Sequence, residues 1–291
     1  MTTLSPPIVM VAKPKRKKTS FVSKLGTISL SIFLIFAVFP MIWTFYTSLR
    51  SGREIMINST GINFNNLSFD AYFQVWRDTN FPSLVRNSLI ICTITVVMSL
   101  ALGTGAAYAL SRGNFRGRQG VLLSYILVRL IPGVLLLVPI YILMFKIQLL
   151  DTYIGLALAY TTFTIPATVW FMKGFFDSLP VDLENAARID GCSRLGAMWR
   201  VSLPLVLPGL AATGTLIAIS AWNDILFALL LTSSNRSRTW PVGMREMIGE
   251  FQLPWEQLTA TAFLSLIPVI IGFALVGRKM VSGITAGSLK E

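Results

Sequence analysis

The sequence predicts an all-α membrane protein of six transmembrane helices, and three observations carry that prediction. Of 291 residues, 54% are hydrophobic and 13% charged, where a soluble domain carries about 25% charged residues. Apolar runs that approach or exceed the roughly 20 residues needed to cross a bilayer as a helix recur along the whole chain. The basic residues behind the formal charge of +12 collect at the ends of those runs rather than on one soluble face. They read as topology signals, so the expected partner is the lipid bilayer and no nucleic acid is expected.

The first element follows a basic tail, residues 1–25, containing KPKRKK from Lys13 to Lys18. Tail and apolar run together have the outline of a signal peptide. The run, Gly26 to Leu49, is too long for one, and FAVFPMIWTF offers no small-residue cleavage site, so a retained first span is expected. Nuclear-localisation or nucleic-acid readings of KPKRKK remain minor alternatives. Five further spans are expected at Leu84 to Leu110, Val121 to Leu143, Thr152 to Phe175, Pro208 to Thr232 and Thr259 to Val276. The membrane-spanning body thus covers 26–279, with a loop at about 177–207 and a tail at 280–291. An even number of spans puts both termini on one side. With the N-terminus in the cytoplasm, 16 Lys and Arg are cytoplasmic, 8 lie on the other side and Arg129 falls within a span, which is the positive-inside bias. This topology leaves two outer segments, Arg50 to Ser83 and Ser233 to Leu258, as loops with a short helix each. No sequence repeat aligns the two halves, which argues against a self-contained inverted-repeat transporter.

Pro40, Pro132, Pro139, Pro166, Pro208 and Pro268 lie inside or beside spans, and small residues dominate ALGTGAAYAL. Pro interrupts the helical hydrogen-bond ladder and small residues admit a neighbouring backbone, so kinked, tightly packed helices are expected. Pro and Gly are also simply commoner in membrane helices than in soluble ones. Cys92 and Cys192 lie in different environments and are not expected to pair. The absence of histidine removes the commonest metal ligand and general base, and with it HExxH proteases and His-dependent triads. The chain contains no Gly-Lys pair and therefore no Walker A loop, so it is not expected to bind ATP itself. Catalytic, cofactor-binding and metal-binding residues are all expected to be absent.

One stretch looks soluble: LENAARIDGCSRLGAMWRVSLPLVLPG, Leu183 to Gly209. Pro180 suits the first turn of a helix, Asp182 and Glu184 favour its positive end, and Glu184 and Arg188 are spaced i,i+4. Gly191 is the expected left-handed stop, and Ser193 is the expected cap of a second helix running to Leu203-Pro204. Leu183, Ala186 and Ala187 make a face of little bulk, and Leu195, Met198, Trp199 and Ser202 are expected on one side of the second helix. Such an element is either a ball for another protein's socket or a loop folded back on its own spans.

The spacing Asn185-Ala186-Ala187, three residues, Gly191, nine residues, Val201-Ser202-Leu203-Pro204 resembles the loop signature of ABC-importer permeases, usually written Glu-Ala-Ala, three residues, Gly, nine residues, Ile, one residue, Leu-Pro. RNSLIICTITVVMSLALGTGAAYALSRGNFRGR (Arg86 to Arg118), AWNDILFALLLT (Ala221 to Thr232) and SGITAGSLK (Ser282 to Lys290) are similar to the carbohydrate-uptake branch that contains the maltose permease G subunit. The resemblance implies a type I importer fold and, in a prokaryotic plasma membrane, an assembly with a second, different permease, two ATP-binding-cassette ATPase subunits and an extracytoplasmic solute-binding protein, with ATP and Mg on the ATPases. It also implies that Glu184, Asn185, Ala186, Ala187, Asp190, Gly191, Val201, Leu203 and Pro204 form the ATPase-coupling loop, and that in relatives the C-terminal tail reaches the ATPases and the loop before the sixth span, Ser233 to Leu258 here, reaches the binding protein. Asn185 stands where the family usually has Glu, and Glu184 points about 100° away on a helix. Val201 replaces Ile conservatively.

Arg129, Asn223 and Asp224 are costly in hydrocarbon, so they are expected to face the bundle interior, a cavity or the membrane edge. For Asn223 and Asp224 a structural or gating role is weighed above direct sugar binding, and for Arg129 a polar pair near the helix end. Trp222, Tyr160 and Trp170 either stack on a sugar ring or anchor the helices. The functional expectation is a permease subunit importing a sugar or polyol. The same importer type for glycerol phosphate, amino acid or phosphate, and a non-transporting scaffold, stay open.

Overall fold

A computed structural model describes residues 21–249 and 253–287. KPKRKK, residues 250–252 of the second outer segment and the last four residues lie outside them. Every element described is helical. The chain divides by contacts at Trp43/Thr44. The N-terminal unit contributes most of α1 (Phe21–Ser48), in which Phe39 and Trp43 stack with ring centres 6.0 Å apart.

The second unit begins in the last turn of α1. It continues through α2 (Gly52–Ile57), α3 (Asp70–Asp78), α4 (Phe81–Arg112), α5 (Arg118–Leu130), a 3₁₀ turn, α6 (Leu137–Lys146), α7 (Tyr153–Asp177), α8 (Val181–Ile189), α9 (Arg194–Ala197), a π-helical turn, α10 (Leu203–Leu205), α11 (Leu207–Asn223), α12 (Leu226–Leu231), α13 (Trp240–Glu246) and α14 (Trp255–Gly287). Among the described residues, four helices are long and apolar enough to cross a membrane, and six spans result when each of two bent pairs counts as one.

Four expectations are corrected here. The third span is not one helix, since α5 and the segment Gly133–Lys146 meet at 93°. Ile131 precedes Pro132, which disfavours the α-region at 131, and Pro132 cannot donate to the ladder. The fifth span stops at Asn223, and α12 restarts at Leu226. The first outer segment carries two helices rather than one, and α14 starts before Thr259 and continues past residue 279.

The α4–α7 pair is the axis of the second unit. Its contact is close because α4 presents small residues: a Cβ at Gly103 would stand 2.5 Å from Thr168 Cγ2. Ser99 and Thr164 hydrogen-bond across the same contact at 2.6 Å. This is how membrane helices associate, by packing and polar contacts rather than apolar burial. Ala107, Leu110, Val169, Met172 and Phe176 form the core at the end bearing the Leu183–Gly209 loop, and Ile91, Leu156, Tyr160, Trp222 and Phe227 form it towards the opposite end. On α4 and α14, Val97, Leu102, Ile270 and Leu275 are exposed, as lipid-facing side chains are.

Candidate functional site

The loop Leu183–Gly209 is built by local rules. Pro180 caps α8. At its other end the Gly191 amide donates to Arg188 O (3.1 Å) and the Cys192 amide to Ala187 O (3.0 Å), with Gly191 at φ +92°. These paired bonds define a Schellman stop, whose left-handed residue is glycine because it has no Cβ to clash. The Ser193 hydroxyl accepts from the Gly196 amide at 3.0 Å and starts α9.

What holds the loop to the spans is Glu184. Its Oε1 accepts from Arg112 Nε (2.8 Å) and from the Ser202 hydroxyl (2.6 Å), and its Oε2 accepts from the Tyr108 hydroxyl (2.9 Å). Arg112 also donates from Nη2 to Leu179 O (3.1 Å), and Ser111 donates to Asp177 (2.6 Å). Burial of Glu184 raises its carboxyl pKa, but the bonds from Ser202, Arg112 and Tyr108 and the Arg112 charge outweigh that and hold it below its ordinary value. The node therefore joins α8, the π-helical turn Met198–Ser202 and the ends of α4 and α7.

This arrangement corrects two sequence expectations. Glu184 is buried and paired with Arg112 instead of Arg188. A half-buried guanidinium gives a stronger Coulomb partner than an exposed i,i+4 neighbour in water. Leu195, Met198, Trp199 and Ser202 do not share one side: Met198 and Ser202 turn inward, while Leu195 and Trp199 are exposed. The π-helical turn carries five residues, which shifts the register away from simple α spacing. Of the remaining loop residues, Asn185, Ala186, Asp190, Gly191 and Pro204 are exposed, and Ala187, Val201 and Leu203 are partly buried. Ile189 is 87% exposed and, with Leu195 and Trp199, gives the loop an uncovered apolar surface.

The intramembrane residues do not converge on one polar pocket. Asp224 Oδ1 accepts from the amides of Phe227 (3.0 Å) and Ala228 (3.3 Å), so it caps α12 where α11 ends. Asn223 is exposed and its amide returns to Ile219 O at 3.0 Å. Tyr160 is buried next to Asp224 without a well-formed hydrogen bond on its hydroxyl. Trp222 is buried with its ring 6.0 Å from that of Trp240, whose Nε1 donates to Trp222 O. Trp170 and Arg129 are exposed, Arg129 in the last turn of α5, and no ion pair among the described residues includes Arg129. A groove of about 420 Å³ between α4, α11 and α14 is walled by side chains such as Val96, Ala218, Trp222 and Phe273. It offers few polar groups for a hydroxylated solute. Among the described residues no three His, Cys, Asp or Glu side chains are grouped as metal ligands.

Sequence reasoning missed a second strut at the opposite end of the spans. Asp151, at φ +58°, accepts from the amides of Ser233 (2.9 Å) and Ser234 (3.0 Å) and from the hydroxyls of Ser234 (2.6 Å) and Ser237 (2.5 Å). Burial opposes its ionisation, yet these bonds bring its pKa down to about 2. Asn87 adds donations to Asn235 O (3.1 Å) and Arg238 O (2.9 Å). The segment from Ser233 to Arg238 is thus fastened to α4 and to the start of α7. The only signal in the sequence was the cluster of serines after an apolar run.

Residues 99–281 match the family described as binding-protein-dependent transport system inner membrane component. The chain is 36% identical to the sulfoquinovosyl glycerol transport system permease protein SmoH of Agrobacterium fabrum, over 91% of this chain and 93% of that one. It is 34% identical to the trehalose transport system permease protein SugB of Mycobacterium tuberculosis, over 88% and 93% respectively. Among solved structures it is similar to a bacterial ABC transporter involved in the import of the acidic polysaccharide alginate, with 27% identity, a TM-score of 0.73 and coverage of 88% of this chain and 95% of that one. The methionine ABC transporter MetNI shares the fold at 17% identity, with a TM-score of 0.53 and coverage of 69% and 95%.

Proposed function

This chain belongs to the family of binding-protein-dependent transport system inner membrane components, and we propose that the solute its transporter imports is a sugar or related polyol. It is a multi-pass inner-membrane permease of the ABC-importer type. The sugar assignment is supported by relatives named for trehalose and sulfoquinovosyl glycerol. In this reading two ATP-binding-cassette subunits, carrying ATP and Mg, supply the energy, a second permease completes the path and a solute-binding protein delivers the cargo. Both termini and the loop Leu183–Gly209 then lie in the cytoplasm.

The observation that carries the mechanism is the Glu184 node. Beyond it, Ile189, Leu195 and Trp199 offer apolar surface to an ATPase. Behind it, Arg112, Tyr108 and Ser202 bind the loop to α4, α7 and the lead into α11. A displacement of α8 by closing ATPases is transmitted as rigid-body motion of those spans, because a buried charged pair with three further hydrogen bonds breaks less readily than it moves. The spans then pass between two packed arrangements whose balance nucleotide and binding protein shift. Asp224 belongs to the gate in this reading, as the cap that permits the break between α11 and α12, and Arg129 marks the facing break in the third span.

Reconstitution tests the proposal. The chain, its partner permease and the ATPases in proteoliposomes should take up radiolabelled sugar only with the loaded binding protein and ATP. A fully assembled complex that neither transports nor shows binding-protein-stimulated ATP hydrolysis would overturn it.

A further inference from the structure

The helix α3 and its N-cap carry apolar side chains on two separate faces, and among the described residues only one of them is buried. Ala71 and Val75 are buried, packed with Phe81 and Ala260 at the ends of α4 and α14. Phe69, Phe73 and Trp76 are 57%, 60% and 58% exposed. At about 100° per residue these three fall within about 60° of one another, and Ala71 and Val75 lie about 150° away. Between the two faces on one flank runs a polar strip of Arg77, Asp70, Gln74 and Asp78, all exposed. On the other flank Tyr72 is partly buried and its hydroxyl meets Ser48, the last residue of α1, at 2.6 Å.

The order of these faces orients the helix. With the polar strip towards water, the Tyr72 flank opposite it points towards the bilayer, and the buried face meets α4 and α14. The remaining direction, taken by the two phenylalanines and the tryptophan, is sideways from the spans at the level where they end. That level is marked independently on α4. Arg86 is exposed one turn before Leu89, which opens the exposed apolar stripe continuing to Val97. The Arg77 guanidinium lies 6.0 Å over the Phe73 ring. Two cations therefore stand at the level where the apolar run of α4 begins, and long basic side chains reach from such a level to lipid phosphates.

We propose that α3 is an interfacial anchor whose Phe69–Phe73–Trp76 face seats in the headgroup–acyl boundary of the leaflet opposite the Leu183–Gly209 loop. Amphipathic helices bind in this manner by apolar burial, with Trp favoured at the boundary. The anchor fixes the depth of the α4 and α14 ends through the Ala71–Val75–Phe81–Ala260 contact, so it sets the plane against which the spans rock. It needs the spans to cross a bilayer and does not depend on which solute is carried.

Nitroxide labels on Phe73→Cys, Trp76→Cys and, on the polar strip, Gln74→Cys in the assembled transporter in phospholipid nanodiscs test this. The signal of the identically treated unsubstituted chain is subtracted. Collision with oxygen, which concentrates in lipid, is compared with collision with a water-soluble nickel chelate. Labels at 73 and 76 should show an oxygen-to-nickel ratio severalfold above that at 74, and either position suffices if the other variant fails to assemble. Dominant nickel collision at 73 and 76 would mean the face is in water and overturn the proposal. Low collision with both reagents would mean that a protein, the second permease or the binding protein, covers the face, which equally overturns it.

Discussion

Removing Arg112 measures the Glu184 node. In Arg112→Ala the carboxylate of Glu184, 6% exposed, keeps the bonds from Ser202 and Tyr108 but loses the cation 2.8 Å away. Breaking a buried ion pair by deleting one partner costs about 3–5 kcal/mol. The Arg112 side chain is 13% exposed, so water reaches the site, and the lower bound of about 3 kcal/mol applies. At about 1.4 kcal/mol per tenfold, the equilibrium for opening the loop away from α4 rises about 100-fold. Hydrogen–deuterium exchange of the amides from Leu183 to Ser202 in the assembled complex reads that equilibrium directly. Arg112→Lys should fall between, since one ammonium cannot serve both Glu184 and Leu179 O as the guanidinium does. The Lys173–Asp177 pair, whose carboxylate is 41% exposed, is the contrast, with about 0.3–0.5 kcal/mol expected for an i,i+4 pair. Protection in Arg112→Ala within twofold of the parent would refute the reasoning.

Other consequences are separable. Gly191→Leu forces a branched side chain into φ +92° at a cost of about 1–2 kcal/mol, and the inserted subunit should lose co-purifying ATPase. Gly103→Val meets Thr168 Cγ2 at 2.5 Å and should lower thermal stability by about 1–3 kcal/mol of overpacking, with Thr168→Ala restoring part of it. Asp151→Ala should expose the Ser233–Arg238 segment to protease. Because its pKa is lowered to about 2, the stabilisation by Asp151 is complete above the ordinary aspartate value of about 3.9 and fades only as pH falls towards 2. Proteolysis of the parent should therefore not change between neutral pH and the mildly acidic range.

The parts of the molecule legible in the sequence were the locally determined ones. Apolar length located six spans, Gly191 located the Schellman stop and Ser193 located the next cap, each from a few neighbouring residues. Pro132 reads in the sequence only as a kink and Asp224 only as a costly polar residue, because apolar runs continue on both sides of each. Asp224 declares its capping role only once α12 restarts two residues later. Both struts were invisible because their partners are distant: Glu184 and Arg112 are 72 residues apart, and Asp151 and Ser237 are 86 apart. Spacing within a helix favoured Arg188, the wrong arginine, and nothing in a single sequence ranks a tertiary partner above a local one. Asn185, where the family pattern has Glu, is exposed and makes no side-chain hydrogen bond among the described residues.

The central claim is that the Leu183–Gly209 loop carries force from ATPase to spans, and one measurement addresses it most directly. A photoreactive side chain placed at Ile189, 87% exposed, is illuminated in the intact transporter with and without ATP. The account predicts a covalent product with the ATP-binding subunit in both states, with its yield changing as the nucleotide changes. Products confined to lipid or to this chain, in a transporter that hydrolyses ATP normally, would contradict it.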